Sequence, residues 1–458
     1  MTTCTLAQVN AQRRSLLWRI HFWSALIASP FVLLACLTGL LYVFTPQIEH
    51  ALYGSLDSVD PQTQARSLDD AVFAASQVAP EGWSLHSVMP AQEPKDSVRV
   101  AFVPPMGGVK SVNVAGHPGH GGHQSAGTGD VKSQFLRPNF GIPSRALVVY
   151  VNPYTAEVLG QLKESDRFAT WARKLHSSMQ QGDSLRWMIE LAASWTMVML
   201  VTGVFLWLPR QGQSGLPQSG VKGRLAWRQW HAFLGVSLGL MSLVILTTGL
   251  TWSQYAGGQV RWARDVSGQT PPRIPAEITS HASSPRHLLD WESALQAIQR
   301  EAPQVAMMIM APKGPEGVWR ANQLDKGDPT KRFDLLLDAY TGERLYYSGW
   351  SEQTAFGKAT AIGIPFHRGE FGVWNQVLLF IFGAGVLFSL VSGWVMFFKR
   401  RIRGAPLLPP VMSGAWRNVS PWAWLGGVFM LVAMPVLAVS AVPVVLAELW
   451  LLRVRRSA

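Results

Sequence analysis

The chain has 458 residues but only two cysteines, Cys4 and Cys36. Cys4 lies near the N-terminus and Cys36 inside the first apolar run. The long hydrophilic stretches therefore carry no disulfide framework, and no cysteine cluster exists to bind zinc or an iron–sulfur centre. Charge is also scarce: 15% of residues are Asp, Glu, Lys or Arg, against 48% hydrophobic. A strand, glycine-rich turn and helix of the kind that binds dinucleotides is missing as well. The glycines of Gly116-His117-Pro118-Gly119-His120-Gly121-Gly122-His123 have no such context. A chain without its own nicotinamide or flavin site has to take any electrons it transfers from a separate cytoplasmic reductase or a membrane quinol.

What is abundant is apolar length. Uninterrupted runs occupy about 22–44, 187–208, 231–252, 373–398 and 422–452, and roughly 20 apolar residues suffice to cross a bilayer. The expected spans are 18–44, 187–208, 231–252 and 373–398. A C-terminal hydrophobic segment, 422–452, is interrupted by Pro435 and Pro443 and reads as one kinked span or a re-entrant pair. The first run is too long for a signal-peptide core, and no small-residue cleavage site follows it, so it reads as an uncleaved helix. Basic residues without acidic partners crowd 1–17 (Arg13, Arg14), 209–230 (Arg210, Lys222, Arg224, Arg228) and 399–421 (Lys399, Arg400, Arg401, Arg403, Arg417). The stretches 45–186 and 253–372 mix both signs. That asymmetry predicts a cytoplasmic N-terminus and two large segments on the far side of the membrane. The net charge of +12 thus orients a membrane protein in the lipid bilayer, and no nucleic-acid partner is expected.

One plan is used twice. Trp18-Arg19-Ile20-His21 leads to Thr38-Gly39, and Trp227-Arg228-Gln229-Trp230-His231 leads to Thr248-Gly249; each histidine precedes its glycine by 18 residues. At about 100° per residue that is five whole turns, so both members of a pair share a helix face. Each first span is followed by a short helix stopped by Pro80 or Pro303, then by alternating stretches that read as strands at 97–103 and 305–310. Strand–turn–strand units follow at 148–159 and 335–345. Next come Arg173-Lys174-Leu175-His176 and Ile364-Pro365-Phe366-His367, and then spans ending in Thr202-Gly203 and Ser392-Gly393. The expected fold is a membrane α-helical bundle of four core spans plus the C-terminal segment, carrying two small exported α+β modules in parallel duplication.

Residues 13–403 resemble the PepSY-associated transmembrane family. The fourfold histidine-to-glycine pattern and the Asp338-Ala339-Tyr340-Thr341-Gly342-Glu343 turn carry the resemblance. The first turn departs from the pattern, with Asn152 in place of Asp and Ala156 in place of Gly. The resemblance implies PepSY-like modules at 45–186 and 253–372 and location in the bacterial inner membrane, with those segments periplasmic. It also brings in iron-regulated inner-membrane proteins and haem-containing reductases of ferric siderophores.

Topology and duplication pair His21 with His231 at the cytoplasmic ends of their helices, and His176 with His367 at the outer ends. Two neutral imidazoles facing each other suit the axial positions of a haem iron, giving two b-type haems. The glycines sharing faces with His21 and His231 would leave room for the porphyrin. Arg19 and Arg228, and Arg173 and Arg368, are the expected partners of the propionates. A bare metal at a histidine pair lacks nearby acidic or cysteine ligands. His117, His120 and His123 fall in a His- and Gly-rich loop, 116–129, that could hold a transition metal weakly. The resulting expectation is a di-haem electron conduit that reduces a ferric siderophore on the periplasmic side. The rival is a non-catalytic scaffold whose external modules bind peptides or restrain a protease.

Overall fold

The computed structural model of the chain describes residues 6–105, 135, 141–208, 215–280, 287–324, 327–402 and 406–457. In chain order the helices and strands begin with α1 (Leu6–Val43), α2 (Thr45–Asp57) and α3 (Leu68–Val78), then β1 (Ser84–Met89), β2 (Val98–Val103), β3 (Leu147–Val151) and β4 (Val158–Lys163). Next are α4 (Phe168–Ser178), α5 (Arg186–Trp207), α6 (Gly223–Ser237), α7 (Gly239–Thr251), α8 (Ala256–Val266) and α9 (Trp291–Glu301). The strands β5 (Met307–Met310), β6 (Val318–Gln323), β7 (Asp334–Asp338) and β8 (Arg344–Ser348) precede α10 (Ala355–Arg368), α11 (Val373–Ile402), α12 (Pro421–Ala433) and α13 (Pro435–Ser457). These elements form two compact units. One comprises 1–43, 174–263 and 374–458; the other comprises 44–173 and 264–373.

The first unit is helical. α1, α11 and α13 are each long and apolar enough to cross a membrane, as is the stretch Gly182–Trp207 containing α5. α1 packs chiefly along α5, through Ala28, Leu191, Ala192 and Trp195 and with Ser24 and Ser194 fully buried. Small residues at such a seam let backbones approach closely, which is how helices associate where lipid removes the hydrophobic drive. α13 is tied to α5 by the Trp195 indole, which donates to Ser440 at 2.8 Å. It is tied to α1 by Arg19, whose Nε donates to Glu448 at 2.7 Å. The C-terminal segment forms two helices meeting at Met434–Pro435, and α13 is by itself long enough to span.

The third apolar run is not the straight helix its length predicts. α6 and α7 meet at a 56° bend, so the same-face relation between His231 and Gly249 does not hold. Gly235 and Gly239 flank the break, and glycine in a helix interior costs about 1 kcal/mol relative to alanine. Leu238, at the bend, fills the notch over Gly385 of α11, where a Cβ would collide with its Cδ1.

The second unit carries the two α+β stretches expected from the sequence in a single sheet. Its strands form one eight-stranded antiparallel sheet in the order β4-β3-β2-β1-β5-β6-β7-β8. The halves meet where Val88 of β1 pairs with Ile309 of β5. Sequence patterning missed β1, because Ser84, His86 and Ser87 dilute it, and missed β6 for the same reason. A half-module would leave β1 or β5 as an unpaired edge, which pairing between the halves removes. Each half repeats helix, then four strands. α3 buries Leu68, Ala71 and Ala75 against β2 and β3, and α9 buries Ala294, Ala297 and Ile298 against β6 and β7. The two helices cap each other. Asp69 accepts from the backbone N–H groups of Trp291 and Glu292, both at 3.0 Å, and Glu292 accepts from that of Leu68 at 2.9 Å. Each carboxylate thus satisfies otherwise orphaned donors at the other helix's positive end.

Candidate functional site

Three of the four histidines singled out by sequence lie in the helical unit, and all three are set in the same way. The Nδ1 of His21 on α1 lies 3.0 Å from the Met199 carbonyl and 3.1 Å from Thr202 Oγ1, both on α5. The Nδ1 of His231 on α6 lies 3.0 Å from the Ser389 carbonyl and 2.9 Å from Ser392 Oγ, both on α11. The Nδ1 of His176 on α4 lies 2.9 Å from Thr38 Oγ1 of α1 and also bonds the Ala35 carbonyl. In each case the carbonyl belongs to the residue three positions before the Ser or Thr.

A carbonyl can only accept, so Nδ1 must carry the proton. The hydroxyls agree: Thr202 donates to Val198 O at 2.8 Å, Ser392 to Ser389 O at 2.9 Å and Thr38 to Leu34 O at 2.7 Å, leaving each hydroxyl oxygen to accept from the ring. The tautomer is therefore Nδ1–H with the lone pair on Nε2. This is the arrangement of a histidine whose second nitrogen ligates a metal, because a backbone acceptor on Nδ1–H fixes the ring and raises the basicity of Nε2. Burial also holds the His176 imidazole below its ordinary pKa, favouring the neutral ring.

The glycine after each Ser or Thr explains the motif. A Cβ on Gly203 would stand 3.2 Å from His21 Cε1, one on Gly39 3.4 Å from His176 Cε1, and one on Gly393 3.7 Å from His231 Cε1. The glycines make a floor for an imidazole from a neighbouring helix. At Gly39, where the sequence suggested room for a porphyrin, the side chain met is the imidazole of His176. α1 and α5 run antiparallel: His21 of α1 rests on Thr202-Gly203 of α5, and His176 of α4, which precedes α5, rests on Thr38-Gly39 at the far end of α1. The 18-residue interval along α1 separates the two levels by about 27 Å at 1.5 Å per residue.

His21 and His231 come together. Their ring centroids are 6.3 Å apart and their planes perpendicular. Aromatic side chains close the surroundings: Phe22 lies 5.7 Å from Phe397, and Trp227 stacks on Phe388 at 5.7 Å.

The family described as the PepSY-associated TM region matches residues 18–400. The chain belongs to that family. It is accordingly a multi-pass membrane protein, with four candidate spans, or five if the bent α6–α7 pair crosses as one. No curated protein matches it. Within this PepSY-associated chain the matched region ends before α12 and α13, so the Arg19–Glu448 tie joins the family region to a helix beyond it.

The remaining predicted residues are placed as follows. Arg19 is buried, with Nε on Glu448 and Nη1 2.7 Å from the Pro409 carbonyl, so its guanidinium is already committed within the protein. Arg228 is exposed on α6. His367 and Arg368 end α10 in the second unit, where Arg368 pairs with Glu370 at 2.8 Å. Arg173, also in that unit, is exposed on α4. His117, His120 and His123 lie outside the described residues. Among the described residues no group of three or more His, Cys, Asp or Glu side chains is placed to hold a metal ion. The functional residues that sequence reading missed are the acceptors: Met199, Thr202, Ser389, Ser392, Ala35 and Thr38. Their Ser/Thr-Gly signature was visible, but not which histidine each serves.

Proposed function

We propose that this chain is a haem-binding electron-transfer protein of the bacterial inner membrane, in which His21 and His231 would hold a b-type haem. The observation that carries the reading is their 6.3 Å centroid separation. Two imidazoles at that separation, each with its Nε2 lone pair unused by the acceptors on Nδ1, could hold one metal centre between them through metal–nitrogen bonds of about 2.0 Å. The residues present therefore fit the group. Met199, Thr202, Ser389 and Ser392 hold both rings in the ligating tautomer, and Gly203 and Gly393 admit them between helices. When bound, haem supplies one-electron exchange between ferric and ferrous iron.

His176 has the same hydrogen-bond arrangement at the other level of α1, and we extend the ligand role to it as part of a second haem. The basic flanks of the spans support a cytoplasmic N-terminus, with 45–186 and 253–372 periplasmic. The recurring order of helix and four strands supports an internal duplication. The proposed substrate is a ferric siderophore, as the family resemblance implies. One electron converts its Fe(III) to Fe(II), and the softer ferrous ion is held weakly by hard oxygen donors. The electron comes from a quinol or a cytoplasmic reductase.

The test is a dithionite-reduced absorption spectrum and a pyridine-haem assay on protein purified from haem-replete cells. Both His21→Ala and His231→Ala should lose one haem per chain, with the Soret band falling accordingly, whereas His287→Ala should keep the wild-type content. A colourless wild-type protein sinks the proposal. Two haems per chain support the full scheme, and one restricts it to the His21/His231 pair.

A further inference from the structure

The helical unit holds eighteen basic residues and only three acidic ones, Asp183, Glu190 and Glu448. All three carboxylates are taken. Asp183 pairs with Arg186 at 3.3 Å. Glu190, fully buried, accepts from the backbone N–H groups of Tyr255 and Ala256 at 3.0 and 2.8 Å. Glu448 holds Arg19. A guanidinium elsewhere in this unit has no carboxylate of its own unit left to meet.

Two such guanidinium groups sit on α6 and α11, the helices that carry His231 and its acceptors. Arg400 of α11 lies over the rings of Trp18, Phe22 and Phe397, at 5.6, 5.7 and 6.0 Å from their centroids. One of its Nη atoms donates to the Leu407 carbonyl at 2.6 Å. Arg224 of α6 and Arg401 of α11 are both near enough for their charges to act on Arg400, and the Arg224 Nε is buried with no hydrogen-bond partner. A buried N–H donor without an acceptor is costly, and two neighbouring cations raise that cost unless an anion joins them. The cluster also belongs to the histidine site. Phe22, beneath Arg400, directly follows His21. Arg224 precedes His231 by seven residues, two turns on the same side of α6, which is about 10 Å along its axis.

We propose that Arg224 and Arg400 form the anion site that holds the propionate carboxylates of the haem ligated by His21 and His231, a role for which Arg19 is unavailable. The inference rests on the haem reading and adds residues to that same site. A planar guanidinium matches a carboxylate with paired N–H donors, and Trp18, Phe22 and Phe397 fix one of the two forks by their faces.

The experiment titrates full-length apoprotein in detergent with haem and with haem dimethyl ester, following the Soret band. Wild type should bind haem roughly ten- to a hundredfold more tightly than the ester, the range expected for charge-assisted hydrogen bonds. The Arg224→Gln/Arg400→Gln variant should bind the two alike, and Arg224→Lys/Arg400→Lys should recover part of the preference. The wild-type comparison needs no substitution, so a poorly folded variant does not leave the question open. Equal affinity of wild type for haem and ester overturns the inference, with loss of co-purified anionic phospholipid in the Gln variant then assigning the arginines to a lipid headgroup. Failure of the haem reading looks different: wild type binds neither ligand, or His21→Ala and His231→Ala bind both as well as wild type.

Discussion

The three glycine floors differ in how much room they leave, and that difference can be measured. At Gly203 a Cβ would sit 3.2 Å from His21 Cε1 and 3.6 Å from Nδ1, whereas at Gly393 the nearest ring atom of His231 is 3.7 Å away. The first distance is inside ordinary van der Waals contact and the second is not. Gly393→Ala should therefore be harmless or stabilising, since alanine improves a helix interior by about 0.5–1 kcal/mol. Gly203→Ala makes the same gain but pushes the His21 ring by a few tenths of an ångström. Its Nδ1–H bonds to Met199 O and Thr202 Oγ1, now 3.0 and 3.1 Å, cannot both follow. Overpacking of this kind costs about 1–3 kcal/mol, so the net effect expected is a destabilisation of up to about 2.5 kcal/mol. Thermal unfolding of the purified variants in one detergent, side by side, reads the difference. Gly393→Ala melting as low as Gly203→Ala, or Gly203→Ala melting above wild type, would refute the reasoning.

Other predictions concern the turns, a histidine and the C-terminal helix. Ala156 and Gly342 occupy matching turn positions with φ of 59° and 71°. An alanine in the left-handed region costs about 1–2 kcal/mol, partly offset by the greater freedom glycine restores to the unfolded chain. Ala156→Gly should thus raise the melting temperature slightly. Gly342→Ala should lower it more, because its Cβ also meets Ala297 and Leu289 at 3.1 Å. His86 has its pKa lowered from 6.5 by burial, then by the charges of Lys313 and Arg145. The folded state binds its proton less readily than the unfolded state, so stability rises with pH through the region just below 6.5 and falls on acidification. Melting curves between pH 5 and 7 should show this dependence flattened in His86→Gln. Glu448→Ala leaves Arg19 buried with only the Pro409 carbonyl; removing one member of a buried ion pair costs about 3–5 kcal/mol. Loss of that much stability should appear in detergent melts, and an unchanged midpoint would show that α13 is not held by this pair.

Much of the architecture was legible because membrane and helix periodicities are local. Runs such as 22–44 and 373–398 appear as candidate spans, and α3 and α9 end just before the Pro80 and Pro303 read as their stops. The turn pairs recur with the same bonds. Asn152 and Asp338 each accept from the N–H two residues on, at 2.9 Å, so exchanging the amide for the carboxylate leaves the turn intact. The misreadings involve partners far apart in sequence. A hydropathy window sees the length of 231–252 but not the wedge of Leu238 over Gly385. Alternation of apolar residues finds β3 and β7 but passes over β1, whose place at the middle of the sheet is set by β5, more than 200 residues later.

The sequence by itself determined the chemistry on offer: four histidines at repeated stations, each span ending in Ser/Thr-Gly, and cations with too few anions to neutralise them. Which groups meet was decided only by tertiary structure. Eighteen residues return a helix to the same face, yet His21 is served by Thr202 and Gly203 of α5, not by the Thr38 and Gly39 of its own helix. The reason is geometric. Residues five turns apart on one helix stand about 27 Å from each other, whereas an antiparallel neighbour brings its far end level with the near end of the first. The same packing spent Arg19 on Glu448 and left the buried Nε of Arg224 without an acceptor.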